Sequence, residues 1–398
     1  MRRFNAMKLC RLVFAIAFIS LLVTGCKKAG PYLFKNEIDS VGIVWVPDLR
    51  EGIFDAELKS AGDKLVLKGE TNIPEAKEAI IGILKNKSVS FSDSLTLLPD
   101  PAVIEKPWGI VNVSVCNIRF FASNDAEMVS QALMGTPVKI LKENDGWYLI
   151  QTPDKYIGWV DAEALSEKSE SEHNIWKSSQ RLFYTGKTGD VFADQSGKRV
   201  ISDIVAGCIV EKTGNTGKGF LVKLPDGREG YIPADKAIPL DELNAGNLLN
   251  PQNLTETAES FIGIPYLWGG NSSKGFDCSG FTKTIYYLNG LILARDASQQ
   301  FQYGIRIRRD FVPDSLKAGD LLFFGTGRRG RPRPTHVAMY IGNSEFIHCS
   351  GMVKINSLDS TKANFSRSRR DTFIGARRII GVGSAPGTEP VLHHSWYK

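Results

Sequence analysis

The chain reads as an α+β protein assembled from several small domains, and three observations point there. Short strand-like runs bounded by glycine and aromatic residues recur in two tandem stretches, 111–165 and 205–233. Further on, a helical pattern opens directly on Cys278 and is followed by an alternating run that carries His336 and His348. Near the N-terminus, strand, helix and strand patterns succeed one another between residues 64 and 98. At ~150 residues per domain, a chain of 398 residues holds two to four such units. With 42% hydrophobic, 10% aromatic and 23% charged residues, it can build several cores but not a polytopic membrane protein.

Residues 1–25 read as a targeting segment. Arg2, Arg3, Lys8 and Arg11 precede an apolar run from Leu12 to Val23, short for a membrane span. The run ends in Val23-Thr24-Gly25-Cys26, which resembles a bacterial lipobox and implies lipid attachment at Cys26. A soluble secreted protein and an uncleaved anchor helix are the alternatives. Of the remaining cysteines, Cys10 falls inside the signal, and Cys116, Cys208, Cys278 and Cys349 lie far apart without a CxxC pair. No structural disulfide and no metal site is expected.

The formal charge of +6 is concentrated near the C-terminus, where residues 300–382 hold fifteen Lys/Arg against six Asp/Glu. An exported protein meets no nucleic acid, so solvated loops or attraction of anionic wall peptides account for the excess. The chain is expected to act as a monomer.

In the segment 26–105, Lys64 to Glu70 alternates like a strand, Pro74 opens a helix over Glu75 to Lys85, and Val89 to Leu98 reads as a second strand. This predicts a small β-α-β unit that ends at the Pro-rich stretch 98–107. Residues 106–166 show strand runs at Val111–Val115, Thr136–Leu141, Gly146–Ile150 and Tyr156–Val160. The rhythm returns in 176–240 at Val205–Glu211, Gly219–Leu224 and Gly230–Pro233, which predicts two consecutive small β-barrels. Gly146-Trp147-Tyr148, Gly158-Trp159-Val160 and Glu229-Gly230-Tyr231-Ile232 resemble bacterial SH3-type domains. Trp147 and Trp159 are expected in the barrel core, with ligand contact as the alternative. A linker at 241–251 leads to a helix capped by Asn253 or Thr255, the candidate catalytic domain covers 246–382, and a flexible tail is expected at 383–398.

The chemistry resides in the 246–382 segment. Phe281, Ile285 and Leu288 recur at helical spacing after Cys278, so Asp277 is a plausible N-cap and the thiol sits in the first turn. Unpaired backbone N–H groups and the helix dipole there favour thiolate. A nucleophilic thiolate also needs a proton carrier. His336-Val337-Ala338-Met339-Tyr340-Ile341, the turn residues Gly342-Asn343-Ser344 and the return strand Glu345-Phe346-Ile347-His348-Cys349 predict a β-hairpin with both imidazoles. A three-residue loop places His336 and His348 on one face as diagonal neighbours, whereas a two-residue loop places them on opposite faces. The first geometry lets His348 orient His336, and Cys349 then points away from His348.

Tyr266-Leu267-Trp268-Gly269-Gly270, Phe276-Asp277-Cys278-Ser279-Gly280, Gly319-Asp320-Leu321-Leu322-Phe323-Phe324 and Thr335-His336-Val337-Ala338 resemble, in order, the motifs of the NlpC/p60 family of papain-like cell-wall peptidases. The resemblance implies a helix bearing Cys278 on an antiparallel sheet bearing His336, with His348 as third member and no cofactor. It also implies cleavage at γ-D-glutamyl residues of peptidoglycan stem peptides, with Tyr266 and backbone N–H groups stabilising the oxyanion. Tyr266 as a core aromatic is the alternative.

The tandem barrels further resemble those of γ-D-glutamyl-L-diamino acid endopeptidases that require a free N-terminal L-alanine. By motif, Glu127 and Tyr156 of the first barrel, with Asp277, Ser279 and Ser298, correspond to the substrate-binding wall. Asp277 as a helix cap alone and Ser298 as a loop residue alone remain open. A non-catalytic wall-binding lipoprotein or a general wall hydrolase is the competing function, and a thiol acyltransferase would need a broader apolar cleft.

Overall fold

The computed structural model describes residues 34–307, 313–328 and 331–398. The signal segment with Cys10 and the lipid-attachment candidate Cys26 lie outside the described residues. The chain forms four folded units: a small α/β domain, two β-barrels and a C-terminal α+β domain.

In the first unit, strands Lys64–Thr71 and Phe91–Leu97 are parallel and joined by the helix Pro74–Asn86, the β-α-β arrangement that the sequence predicts. Pro74 opens the helix, where its missing N–H costs nothing. Ala76, Ile80 and Leu84 recur at i, i+4, i+8 and bury one face on the sheet with Leu67 and Leu95. The hairpin strand Phe54–Ala61 and the helix Lys35–Trp45 complete the unit and were not read from the sequence.

Each barrel is a seven-stranded sheet. In the first, the expected strand Val111–Val115 is instead a break between strands Trp108–Val111 and Val115–Arg119. The Val-Asn-Val-Ser-Val alternation mimics a strand, but the Ser114 hydroxyl leaves the sheet to bond Asp203 of the second barrel. Trp147 and Trp159 are half-buried rather than core. Strand alternation gives the interior to Tyr148, Ile150 and Val160 and turns both indoles to the other face. In the second barrel, the expected strand Val205–Glu211 divides into Val200–Val205 and Ile209–Asn215. The turn between them needs the positive φ of Gly207, which is 92°.

A short helix, Ala245–Leu248, interrupts the linker, and the next helix, Pro251–Ser260, is capped by Asn250 rather than Asn253 or Thr255. The Asn250 side chain accepts from Asn253 N at 3.0 Å, and Pro251 fills the first helical position. The C-terminal domain carries a six-stranded antiparallel sheet in the order 305–307, 373–378, 321–328, 331–342, 345–350, 352–357. The helix Cys278–Leu288 packs Phe281 and Ile285 against Phe323, Val337, Met339 and Ile347 of one sheet face.

The tail at 383–398 is packed rather than flexible. Thr388–Pro390 pairs with Leu291–Leu293, His394 Nε2 meets Pro153 O of the first barrel at 3.1 Å, and Arg181 of the second barrel donates to Tyr397 O at 2.7 Å. Composition weighs the glycines and prolines of this stretch and passes over Val391 and Tyr397, which are buried.

Candidate active site

Asp277 caps the catalytic helix: its Oδ1 accepts from Gly280 N at 2.7 Å, which places Cys278 at the first helical position. A Cβ on Gly280 would lie 2.0 Å from Gly270 O, so glycine there lets the preceding loop close on the helix start. Burial, followed by the neighbouring Asp277 carboxylate, pushes the Cys278 thiol up to about 11, against the opposing pull of the Val337 N–H. Burial and the cap's own carboxylate thus oppose the thiolate preference expected of a helix start, while Arg295 works in its favour.

The histidine hairpin reaches the expected register by another route. Asn343 and Ser344, with φ of 50° and 62°, form a two-residue turn between the paired Gly342 and Glu345, and a bulge at Ile341 restores the parity. Tyr340 faces Phe346 and Met339 faces Ile347, as a three-residue loop would have it. His336 Nε2 then meets His348 Nδ1 at 2.7 Å, and His348 Nε2 meets Asn356 Oδ1 at 3.0 Å. The Asn356 amide is oriented by its donation to Asn364 O at 2.9 Å.

This chain fixes the tautomers. Asn356 Oδ1 can only accept, so His348 carries its proton on Nε2 and accepts on Nδ1 from His336 Nε2–H. His336 Nδ1 is left with a free lone pair. Burial holds His336 well below the ordinary imidazole range, with Arg369 adding to the effect, and burial lowers His348 to about 4. Both rings rest neutral.

The helix covers the sheet face bearing Val337, Met339, Ile347 and Cys349, while Phe324, Ala338, Tyr340 and Phe346 form a cluster on the other. The imidazoles pack against this second set, tilted on Phe324 at 5.9 Å from His336 and edge-on to Phe346 at 5.0 Å from His348. Pairing of strands 331–342 and 345–350 begins at Met339 and Ile347, which leaves Val337 beyond the paired stretch. There the thiol lies against the N–H of Val337, next in chain to His336, and Arg369 neighbours both groups. Among the described residues no hydrogen bond joins Cys278 to His336. Cys349 points away from His348 and donates to Phe276 O at 3.2 Å.

A cleft of about 570 Å³ runs from Cys278 along the first barrel and brings together Tyr266, Asp277, Ser279, Ser298, Glu127 and Tyr156. Tyr266 is 36% exposed, with its hydroxyl pushed up to about 12 by burial and by Cys278. Glu127 Oε1 accepts from Trp268 Nε1 at 2.8 Å. Asp277 has no free oxygen: the buried Arg295 grips it through Nη2 at 2.6 Å and Nη1 at 3.2 Å, and Gly269 and Ser279 also donate. Arg295 further donates to the Ser279 and Ser130 hydroxyls, tying the cap to the first barrel. Tyr156 contacts Asp296 at 3.5 Å, and Ser298 accepts from Arg50 at 3.0 Å.

Sequence reasoning missed Asn356, Arg295, Asp296 and Arg50. Asn356 repeats the diagonal parity of the two histidines, since His348 pairs with Lys354, two residues before it. Asp296, with Gln299 three residues on, carries a capping-box signal. Nothing in the sequence pointed to Arg50, whose partners in the catalytic domain are more than two hundred residues away.

The NlpC/P60 family model matches residues 263–370, and that of the bacterial dipeptidyl-peptidase SH3 domain matches residues 120–165. A dipeptidyl-peptidase 6 of Lysinibacillus sphaericus is 32% identical over 288 residues, 69% of this chain and 98% of its own length. The chain belongs to the NlpC/P60 family. A γ-D-glutamyl-L-lysine dipeptidyl-peptidase of Bacillus cereus is 27% identical over 238 residues, 58% of this chain and 69% of that protein. The crystal structure of an NlpC/P60 family protein from Bacillus cereus shares the fold, with a TM-score of 0.59 at 23% identity, over 68% of this chain and 99% of the other. As an NlpC/P60 member the protein is a cysteine peptidase with an α+β, papain-like catalytic domain.

Proposed function

We propose that this peptidase hydrolyses the amide bond between γ-D-glutamate and the L-diamino acid of peptidoglycan stem peptides, acting on those with a free N-terminal L-alanine. The observation that carries the reading is the cleft itself, which joins Cys278 to Glu127 of the first barrel. Arg295 compensates Asp277 and Arg50 compensates Asp296, which leaves Glu127 as the carboxylate available to a substrate ammonium. The name of the Bacillus relative supports the same bond, and the names of both relatives support a dipeptidyl product.

In this reading His336 Nδ1 takes the thiol proton as sulfur attacks the carbonyl carbon, the imidazole closing on a thiol that rests beside Val337. Such contacts tighten in substrate complexes. Tyr266 and the backbone N–H groups at the helix start stabilise the oxyanion. The tetrahedral intermediate collapses, the diamino acid amine leaves with the proton from His336, and water hydrolyses the thioester. His348, held by Asn356, keeps His336 in the accepting tautomer. Cys26 is the proposed lipid anchor, and Cys26→Ser releases the protein from a membrane fraction in this reading. Among the described residues no helix is long and apolar enough to cross a membrane.

The test compares cleavage of L-Ala-γ-D-Glu-diamino acid peptides with free and N-acetylated alanine. The parent enzyme is expected to cleave the free form about tenfold to a hundredfold faster, the worth of a charge-assisted hydrogen bond. Equal cleavage of both indicates a general wall hydrolase that uses its barrels for attachment.

A further inference from the structure

In the reading above the N-terminal domain only neutralises Asp296 through Arg50, yet Leu49, Arg50 and Ile53 also line the same cleft as Cys278. Segment 48–53 is fixed from two sides. On the first barrel, Ile157 N donates to Arg50 O and Gln151 Nε2 donates to Glu51 O, each at 2.8 Å. On the catalytic domain, Gln299 Nε2 donates to Glu51 Oε1 at 2.6 Å. The Arg50 guanidinium donates from all three of its nitrogens. It grips Asp48 through Nε and Nη2, and its Nη1 serves both Asp296 at 2.6 Å and Ser298 at 3.0 Å.

Four ionic side chains step away from the nucleophile. Asp277 beside Cys278 binds Arg295, Arg295 lies 4.0 Å from Asp296, and Asp296 binds Arg50. Arg50 thus stands three ionic contacts from the residue beside the nucleophile, and it lines the cleft together with Glu127 and Tyr156. A residue added before the alanine meets a guanidinium that already has its partners.

We propose that segment 48–53 of the N-terminal domain is the end wall of the substrate cleft, and that Arg50 is a specificity-determining residue restricting the acyl side of the substrate to two residues. The inference rests on the stem-peptide reading but concerns length, whereas Glu127 concerns charge. Leu49, 73% exposed, contributes bulk to the same wall without supporting the fold.

The experiment measures kcat/KM for L-Ala-γ-D-Glu-diamino acid and for the same peptide extended by an N-terminal glycine, which keeps a free ammonium. The parent is expected to prefer the shorter peptide, and Arg50→Ala is expected to shrink that preference about tenfold. Leu49→Ala shrinks it by a smaller factor and decides the matter if Arg50→Ala lowers the melting temperature or fails to fold. Glu127→Gln, which weakens the preference for a free over an acetylated terminus, leaves the length preference in place. Failure of the parent to cleave either peptide overturns the stem-peptide reading itself. Cleavage of the short peptide with an unchanged length preference in both wall variants overturns only the end wall, and no length preference in the parent overturns both the end wall and the requirement for a terminal alanine.

Discussion

The proposed nucleophile and its histidine relay sit on neighbouring elements of one domain, while the cleft beside them is lined by three. Cys278, His336, His348 and Asn356 fall within 79 residues of chain and depend on local rules, a helix cap and hairpin parity. The walls depend on contacts such as Arg50 to Asp296 and Arg295 to Ser130, which span 246 and 165 residues. Chemistry in this protein is local and selectivity is long-range, so substitutions in the two regions should fail differently: the first in turnover, the second in choice of substrate.

The largest effect should come from Cys278→Ala, with turnover lost and the melting temperature preserved, because the residue packs as a small apolar side chain. Full activity in that variant, or thiol labelling of Cys349 in its place, breaks the assignment. Next, His336→Ala should cost at least as much rate as His348→Asn, since one moves the proton and the other holds the mover. A dead His348→Asn beside an active His336→Ala reverses their roles. On the wall, Glu127→Gln should cost about tenfold to a hundredfold in kcat/KM on the free-alanine peptide and almost nothing on the acetylated one. A parallel loss on both peptides would place Glu127 in the fold rather than in recognition.

The smallest effect is pH dependence. Catalysis needs neutral imidazoles, and burial lowers both below 6.5, so kcat/KM should hold as pH falls through 6.5 and drop only well below it. Stability follows the same groups. The unfolded chain binds protons first, so the contribution of the neutral rings is complete above 6.5 and is lost as pH falls toward about 4. An activity profile that halves near 6.5 would mean that substrate binding or solvent relieves the burial of the relay.

The same division explains what the sequence disclosed. Asp277 as cap and Cys278 at the first turn follow from spacing alone, whereas the shared face of the histidines hung on the loop length. The turn has two residues, and the bulge at Ile341 supplies the third that keeps both on one face. The sign of the thiol's shift was not legible, since burial is a property of the packed domain. Trp147 and Trp159 were misplaced because aromatic residues beside glycine suggest a core without saying which strand face is inside. Arg50 and Arg295 carry no local pattern, and their partners Asp296 and Ser130 reach them only after the domains have docked.

The gap between strands 331–342 and 345–350 carries a constraint on the future of the sheet. One more rung, Val337 with Cys349, would satisfy the backbone in the ordinary way and zip the two strands together. It would also take from sulfur the amide that now faces it and seal the passage between the two faces. A mutation that improves strand pairing there should produce a sturdier and silent protein, so the family's chemistry sets an upper limit on how complete its own sheet can become.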